Sequence, residues 1–162
     1  MGKRVLVSGL LIGLLLLCGC TEKVNFSPET TDTTQGKPIG QTWVSPGIVT
    51  IGNFYPKATA EYNLTLHNGN MEDTKFYLAF KEPTRVAKGY VKAPDYVKQW
   101  VTFYDSQPML KPLETRDILV TVTMPDTKEQ VPDKIEFWIS AREEQGGTVQ
   151  IEYATKWRID LR

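Results

Sequence analysis

The chain is poor in the groups that most protein chemistry needs. In 162 residues it has two cysteines, Cys18 and Cys20, and one histidine, His67. With no second imidazole and no spare thiol, a Cys-His nucleophilic site and the common zinc sets are excluded within one chain. Net charge is also lacking, because nineteen basic residues balance nineteen acidic ones, so composition gives no argument for nucleic acid as a partner. No Gly-rich loop follows a strand and opens a helix, which removes the common phosphate-binding motifs. No stretch shows helical periodicity bounded by caps, and no apolar run reaches the roughly 20 residues of a spanning helix. The expectation is a non-enzyme with no cofactor and no metal. His67, beside a turn, reads as an ordinary turn residue, and Glu143 and Glu144 as solvated charge in a hairpin, since acid-base work needs carboxyls held in a cleft.

What is present begins with an export signal. Lys3 and Arg4 form a short positive region, Val5 to Leu17 is apolar and Leu-rich, and the run ends in Leu17-Cys18-Gly19-Cys20. That three-part layout is a secretory signal without a stop-transfer segment behind it. Its last four residues resemble the bacterial lipobox, with Cys18 where Ala or Ser is usual. The resemblance implies a diacylglyceryl group on the Cys20 sulfur, cleavage before Cys20 and acylation of the new amine, including palmitate. Residues 1–19 are then a lipoprotein signal peptide, and the mature chain is anchored to a cell membrane, facing the extracytoplasmic side, without crossing it. Both cysteines are thereby consumed, and loss of Lys3 and Arg4 gives the mature chain a net charge of −2.

Residues 20–42 are dominated by Thr, Ser, Pro, Gly, Gln and charge. They bury too little apolar surface to offset ordering entropy and are expected to be a flexible linker. As a coil its average reach is on the order of 25 Å, against an extended limit of roughly 70 Å.

Residues 43–162 alternate with period two. Apolar residues face one way at 48–51, 62–66, 76–80, 97–103, 118–122, 135–139 and 149–161, with turn residues between, such as His67-Asn68-Gly69-Asn70 and Met124-Pro125-Asp126. About seven such strands predict an all-β, immunoglobulin-like antiparallel β-sandwich, without the disulfide of antibody domains. Trp138 and Trp157 are candidate core or rim aromatics.

Two stretches carry a further resemblance. Pro56-Lys57-Ala58-Thr59 leads into an alternating strand that ends at His67-Asn68-Gly69, and Leu110-Lys111-Pro112-Leu113-Glu114-Thr115 precedes a strand closed by Met124-Pro125. Both are similar to signatures of prokaryotic surface immunoglobulin-like domains, in which Gly is common where this chain has Lys57 and Leu113. The resemblance implies a spacer, an adhesive module or an assembly partner.

One segment departs from the neutral background. Residues 81–98 hold five basic residues against two acids. Punctuated by Pro83, Gly89 and Pro94, it is expected to be an exposed crossover, with Arg85, Lys88, Tyr90, Lys92, Tyr96 and Trp100 as candidate contacts for an anionic surface: lipid headgroup, polymer or acidic protein. The functional expectation is a lipid-anchored, non-catalytic interaction or structural module at the cell envelope. The alternative is a carbohydrate-binding module, which requires Trp43, Trp100 or Trp138 to lie coplanar and exposed.

Overall fold

A computed structural model describes residues 29–31, 40–126, 130–144 and 151–162. The expected signal segment, Cys20 and most of the expected linker lie outside these residues. The strands are β1 (Glu29–Thr31), β2 (Trp43–Ser45), β3 (Ile48–Phe54), β4 (Thr59–His67), β5 (Thr74–Lys81), β6 (Val91–Lys92), β7 (Val101–Phe103), β8 (Met109–Leu110), β9 (Thr115–Thr123), β10 (Lys134–Glu143) and β11 (Glu152–Leu161). They form a sandwich of two sheets, one ordered β1-β3-β11-β10-β5-β8 with β6 also on β10, the other β2-β4-β9-β7.

The expected all-β immunoglobulin-like sandwich is therefore present, with differences in detail. Eleven described strands replace about seven, because two- and three-residue strands are too short to show a period. Pairing is mostly antiparallel, but β3 runs parallel to β11 and β6 parallel to β10. The expected linker is partly in the fold: Glu29, Thr30 and Thr31 pair with Thr50, Val49 and Ile48, and Thr42 is buried. A strand needs only backbone pairing along an edge, which composition does not report.

The expected strand over 97–103 is also corrected. Residues Asp95–Trp100 form a 3-10 helix after Pro94, and only Val101–Phe103 is strand. Val97 and Trp100 are the buried residues of that helix. They lie three apart, one full turn of a 3-10 helix, so their apolar pattern overlaps the period of two.

Elsewhere alternation predicts the core well. On β11, Thr155, Trp157 and Ile159 are buried, and on β9 Ile118, Val120 and Val122. Trp157 stacks near Phe137 at 6.0 Å and meets the edge of Tyr62 from the other sheet at 5.9 Å.

The strand directions define two ends. Thr42, just ahead of β2, accepts from the Gly69 N–H beside the 68–73 loop and the 111–114 turn; this is the Asn68 end. At the opposite, Phe54 end lie the 55–58 turn, the start of β10 and most of the 82–100 segment, where β6 faces Ile135 and Glu136.

The Asn68 end is tied by one side chain. Asn68 is fully buried, and its amide donates to the carbonyls of Glu72, Leu110 and Lys111 at 2.9, 3.2 and 2.9 Å while its oxygen accepts from the Asn70 N–H. Gly69 next to it is required by contact, since a Cβ there would lie 2.1 Å from the Gln41 carbonyl carbon. The two positions where the resembling domains favour Gly both take left-handed backbone, Lys57 at φ 68 and Leu113 at φ 57. Each follows a Pro in a turn closed by a backbone hydrogen bond, Ala58 N–H to Tyr55 and Glu114 N–H to Lys111.

Asn68→Ala should leave buried carbonyls without a donor and lower stability by about 2 to 3 kcal/mol in urea unfolding. Leu113→Gly should raise it by about 0.5 to 1 kcal/mol, since a Cβ is disfavoured at positive φ.

Candidate interaction surface

The 81–98 segment starts as β5 leaves the sheet. β5 covers β10 from Trp138 to Glu143, and β6 then takes its place beside Ile135 and Glu136. Between them the chain turns over the outer face of the sheet. Gly89, at φ 88, permits the 87–90 turn, in which the Tyr90 N–H donates to the Ala87 carbonyl at 3.1 Å.

Beneath the turn lies a charged cluster. The Glu136 carboxylate is 1% exposed. It accepts from Arg158 Nε at 2.9 Å, from the Ala87 N–H at 3.2 Å and from Trp138 Nε1 at 3.3 Å. A buried carboxylate is tolerated only when paired and hydrogen-bonded in this way. Beside it, the Tyr90 hydroxyl donates to Asp160 at 2.7 Å, and the Tyr90 ring carries Lys134 and Arg158 at 5.5 Å each, within cation-π range. Burial, and then the hydrogen bond to the Asp160 carboxylate, push the Tyr90 phenol up to about 12. Burial drives Asp160 upward, but hydrogen bonds from Tyr90 and Lys134 outweigh it and hold that carboxyl below its ordinary value.

The six candidate contact residues are thus divided. Arg85, Lys88 and Lys92 are exposed. Lys92 pairs with Glu82 at 2.7 Å, both side chains largely in solvent, a pair worth little against water. Tyr90 is a pinning residue, half-buried in the cluster. Tyr96 packs against the core beside Trp100, with ring centroids 6.1 Å apart. Trp100 itself is 3% exposed and is withdrawn as a contact, because the 3-10 helix turns it inward. Lys98 on the same helix is exposed, a cation that joins the set. The segment is therefore not a free crossover but a clamped loop with cations outward. Glu136, absent from the expected site, is what it closes on; one acidic residue in an alternating strand carries no sign that a distant loop will cover it.

His67 ends β4, stacks on Trp43 at 5.0 Å and bonds Thr115 through Nδ1 at 2.8 Å. Glu144 is exposed, but Glu143 is 4% exposed and hydrogen-bonds Asn70 and Tyr153, so it belongs to the Asn68 end and not to solvent. Trp43 and Trp138 are half-buried and sit on different sheets. With Trp100 inside, the tryptophans make no shared stacking platform for a sugar. Among the described residues no group of three His, Cys, Asp or Glu side chains is placed to hold a metal ion.

No family model matches the chain, and no curated protein matches it. Solved structures do share its fold. A PapD-like domain of human CEP192 is 13% identical with a TM-score of 0.52, over 83% of this chain and 92% of that one. The E. coli chaperone DraB is 10% identical with a TM-score of 0.50, over 74% of this chain. A putative carbohydrate-binding protein from Bacteroides ovatus is 8% identical with a TM-score of 0.56, over 74% of this chain. This chain covers 54% of DraB and 36% of the Bacteroides protein. At such identities the likeness is one of fold.

An alkaline titration tests the clamp. Because the folded phenol of Tyr90 lies near 12 against an ordinary 10.0, its stabilising contribution should be complete below pH 10 and fade as pH rises through 12. Tyrosinate absorbance should show a late phase near pH 12 that Tyr90→Phe removes; an unchanged curve would mean that Tyr90 is not held.

Proposed function

We propose that this chain is a lipid-anchored extracytoplasmic protein of a bacterial envelope, whose sandwich serves as a non-catalytic interaction module. The observation that carries this reading is Leu17-Cys18-Gly19-Cys20 at the end of a Leu-rich run, with eight residues between Cys20 and the first described strand. A lipid at Cys20 would hold the sandwich at a membrane surface, and a domain held there acts at raised effective concentration toward anything on that surface.

The sandwich supports contact more readily than catalysis. Its core is mostly apolar, and its irregular segment is held to the sheet by the Ala87 N–H on Glu136 and the Tyr90 hydroxyl on Asp160, with Arg85, Lys88 and Lys92 exposed. Pre-ordering cations in this way lowers the entropic cost of meeting an anionic partner, whether envelope protein, polymer or lipid. One structural neighbour is itself a chaperone, DraB, in keeping with a sandwich used to meet other chains.

Cys20→Ala should abolish lipid addition and move the protein from the membrane fraction to the soluble extracytoplasmic fraction. Fractionation with intact-mass measurement decides this. An unchanged membrane fraction for the variant together with a wild-type chain of no lipid mass would refute the anchor.

A further inference from the structure

Strand β1 fixes how the sandwich hangs from its anchor. From Cys20 to Glu29 only residues 21–28 intervene, so the length of chain between anchor and sandwich is much less than residues 20–42 suggest. A chain of that length spans about 17 Å on average, and roughly 30 Å at full extension. Glu29 lies opposite Thr50. β1 is antiparallel to β3, which runs toward Phe54, so the chain arrives at Glu29 from the Phe54 end. From Thr50 to Phe54 is four residues, about 13 Å along the strand. In the other direction Ile48 faces Lys156, and β11 continues back to Glu152, about 20 Å from Thr50. The Phe54 end is therefore the one within average reach of the anchor.

That is also the end with outward cations. In the 81–98 segment Lys81 pairs with Glu152 and Lys92 with Glu82. Arg85, Lys88 and Lys98 are exposed with no acid on them among the described residues, against exposed Asp95 and, nearby, Asp133. Val91, 48% exposed, precedes Lys92 on β6. At the Asn68 end the exposed charges are Glu72, Asp73 and Glu144 beside Lys111 and Arg142, with no cation excess.

Resting on the lipid anchor proposed above, we infer that the sandwich lies with its Phe54 end down, Arg85, Lys88, Lys92, Lys98 and Val91 against the anionic headgroups of the bilayer that holds Cys20. The surface acts as a docking face for lipid, and the Asn68 end is presented outward to other partners. Each basic residue near an anionic bilayer contributes roughly a five-fold gain in binding, lost as salt screens it. The tether adds to this by keeping the face close to the surface.

The test uses the full lipidated chain, whose mature form has no cysteine besides Cys20. Val91→Cys and, separately, Met71→Cys at the Asn68 end receive a polarity-sensitive fluorophore, and each is reconstituted into vesicles of phosphatidylcholine alone or with about 30 mol% phosphatidylglycerol. The expected result is a blue shift at position 91 only with phosphatidylglycerol. It should be reversed by about 0.5 M salt and lost when Arg85, Lys88 and Lys98 are changed to Glu, with position 71 unmoved. Intact mass reports the lipid independently. Lipid present with no shift at 91, or with the shift at 71, overturns the orientation and leaves the anchor standing. Absence of lipid mass overturns the anchor and the orientation with it.

Discussion

Two sheets with no cross-link between them are held by a file of aromatic rings. Phe80 stacks on Phe137 at 4.9 Å, Phe137 on Trp157 at 6.0 Å, and Trp157 meets Tyr62 of the opposite sheet edge-on. Trp157 and Phe137 are almost wholly buried, and each such side chain contributes about 2 to 3 kcal/mol from apolar area alone. The one polar atom of Trp157 is not left bare, because its Nε1 donates to Thr155 at 2.8 Å. Thr155, two residues away on the same face, is thus both a core residue and the partner that lets an indole sit at the centre.

A second constraint builds on the first. Once β10 is fixed by β11 and β5, the outer face of its first half carries Glu136 in a place that the returning chain covers. The carboxylate then must be paired, and Arg158 of β11 supplies the charge while the Ala87 N–H and Trp138 supply hydrogen bonds. The same arrangement that satisfies Glu136 holds the loop against the sheet through Tyr90 and Asp160. The outward cations lie on a segment held by this inward cluster, which is set by the need to pair a buried carboxylate on the outer face.

Much of the fold was legible because long strands half-buried on one face leave a period of two, as in Thr155, Trp157 and Ile159. The turns at Pro56-Lys57 and Pro112-Leu113 were legible as turns, whereas their left-handed backbone, at φ 68 and 57, came only from the structure. The helix at Asp95–Trp100 was misread because Val97 and Trp100 satisfy a period of three inside an apparent period of two. Strands β2, β6 and β8 are too short for any period, and β1 is a short run of polar residues that carries no apolar pattern. In the site, the positive charge of Arg85, Lys88 and Lys92 was legible, whereas the inward turn of Trp100 and the cover over Glu136 were not.

Amino-acid order alone determined a Leu-rich run ending in Cys20, the alternating strands, the residues at the two Pro turns and an excess of cations in 81–98. These are local properties, carried by neighbours in the chain. The tertiary structure decided which strand lies beside which, in what direction, and therefore which end of the sandwich Glu29 approaches and which face the basic loop closes over. Those outcomes depend on contacts between residues such as Glu29 and Thr50, or Glu136 and Arg158, that are distant in sequence. Pairing over such separations follows from filling the common core, and no local pattern records it.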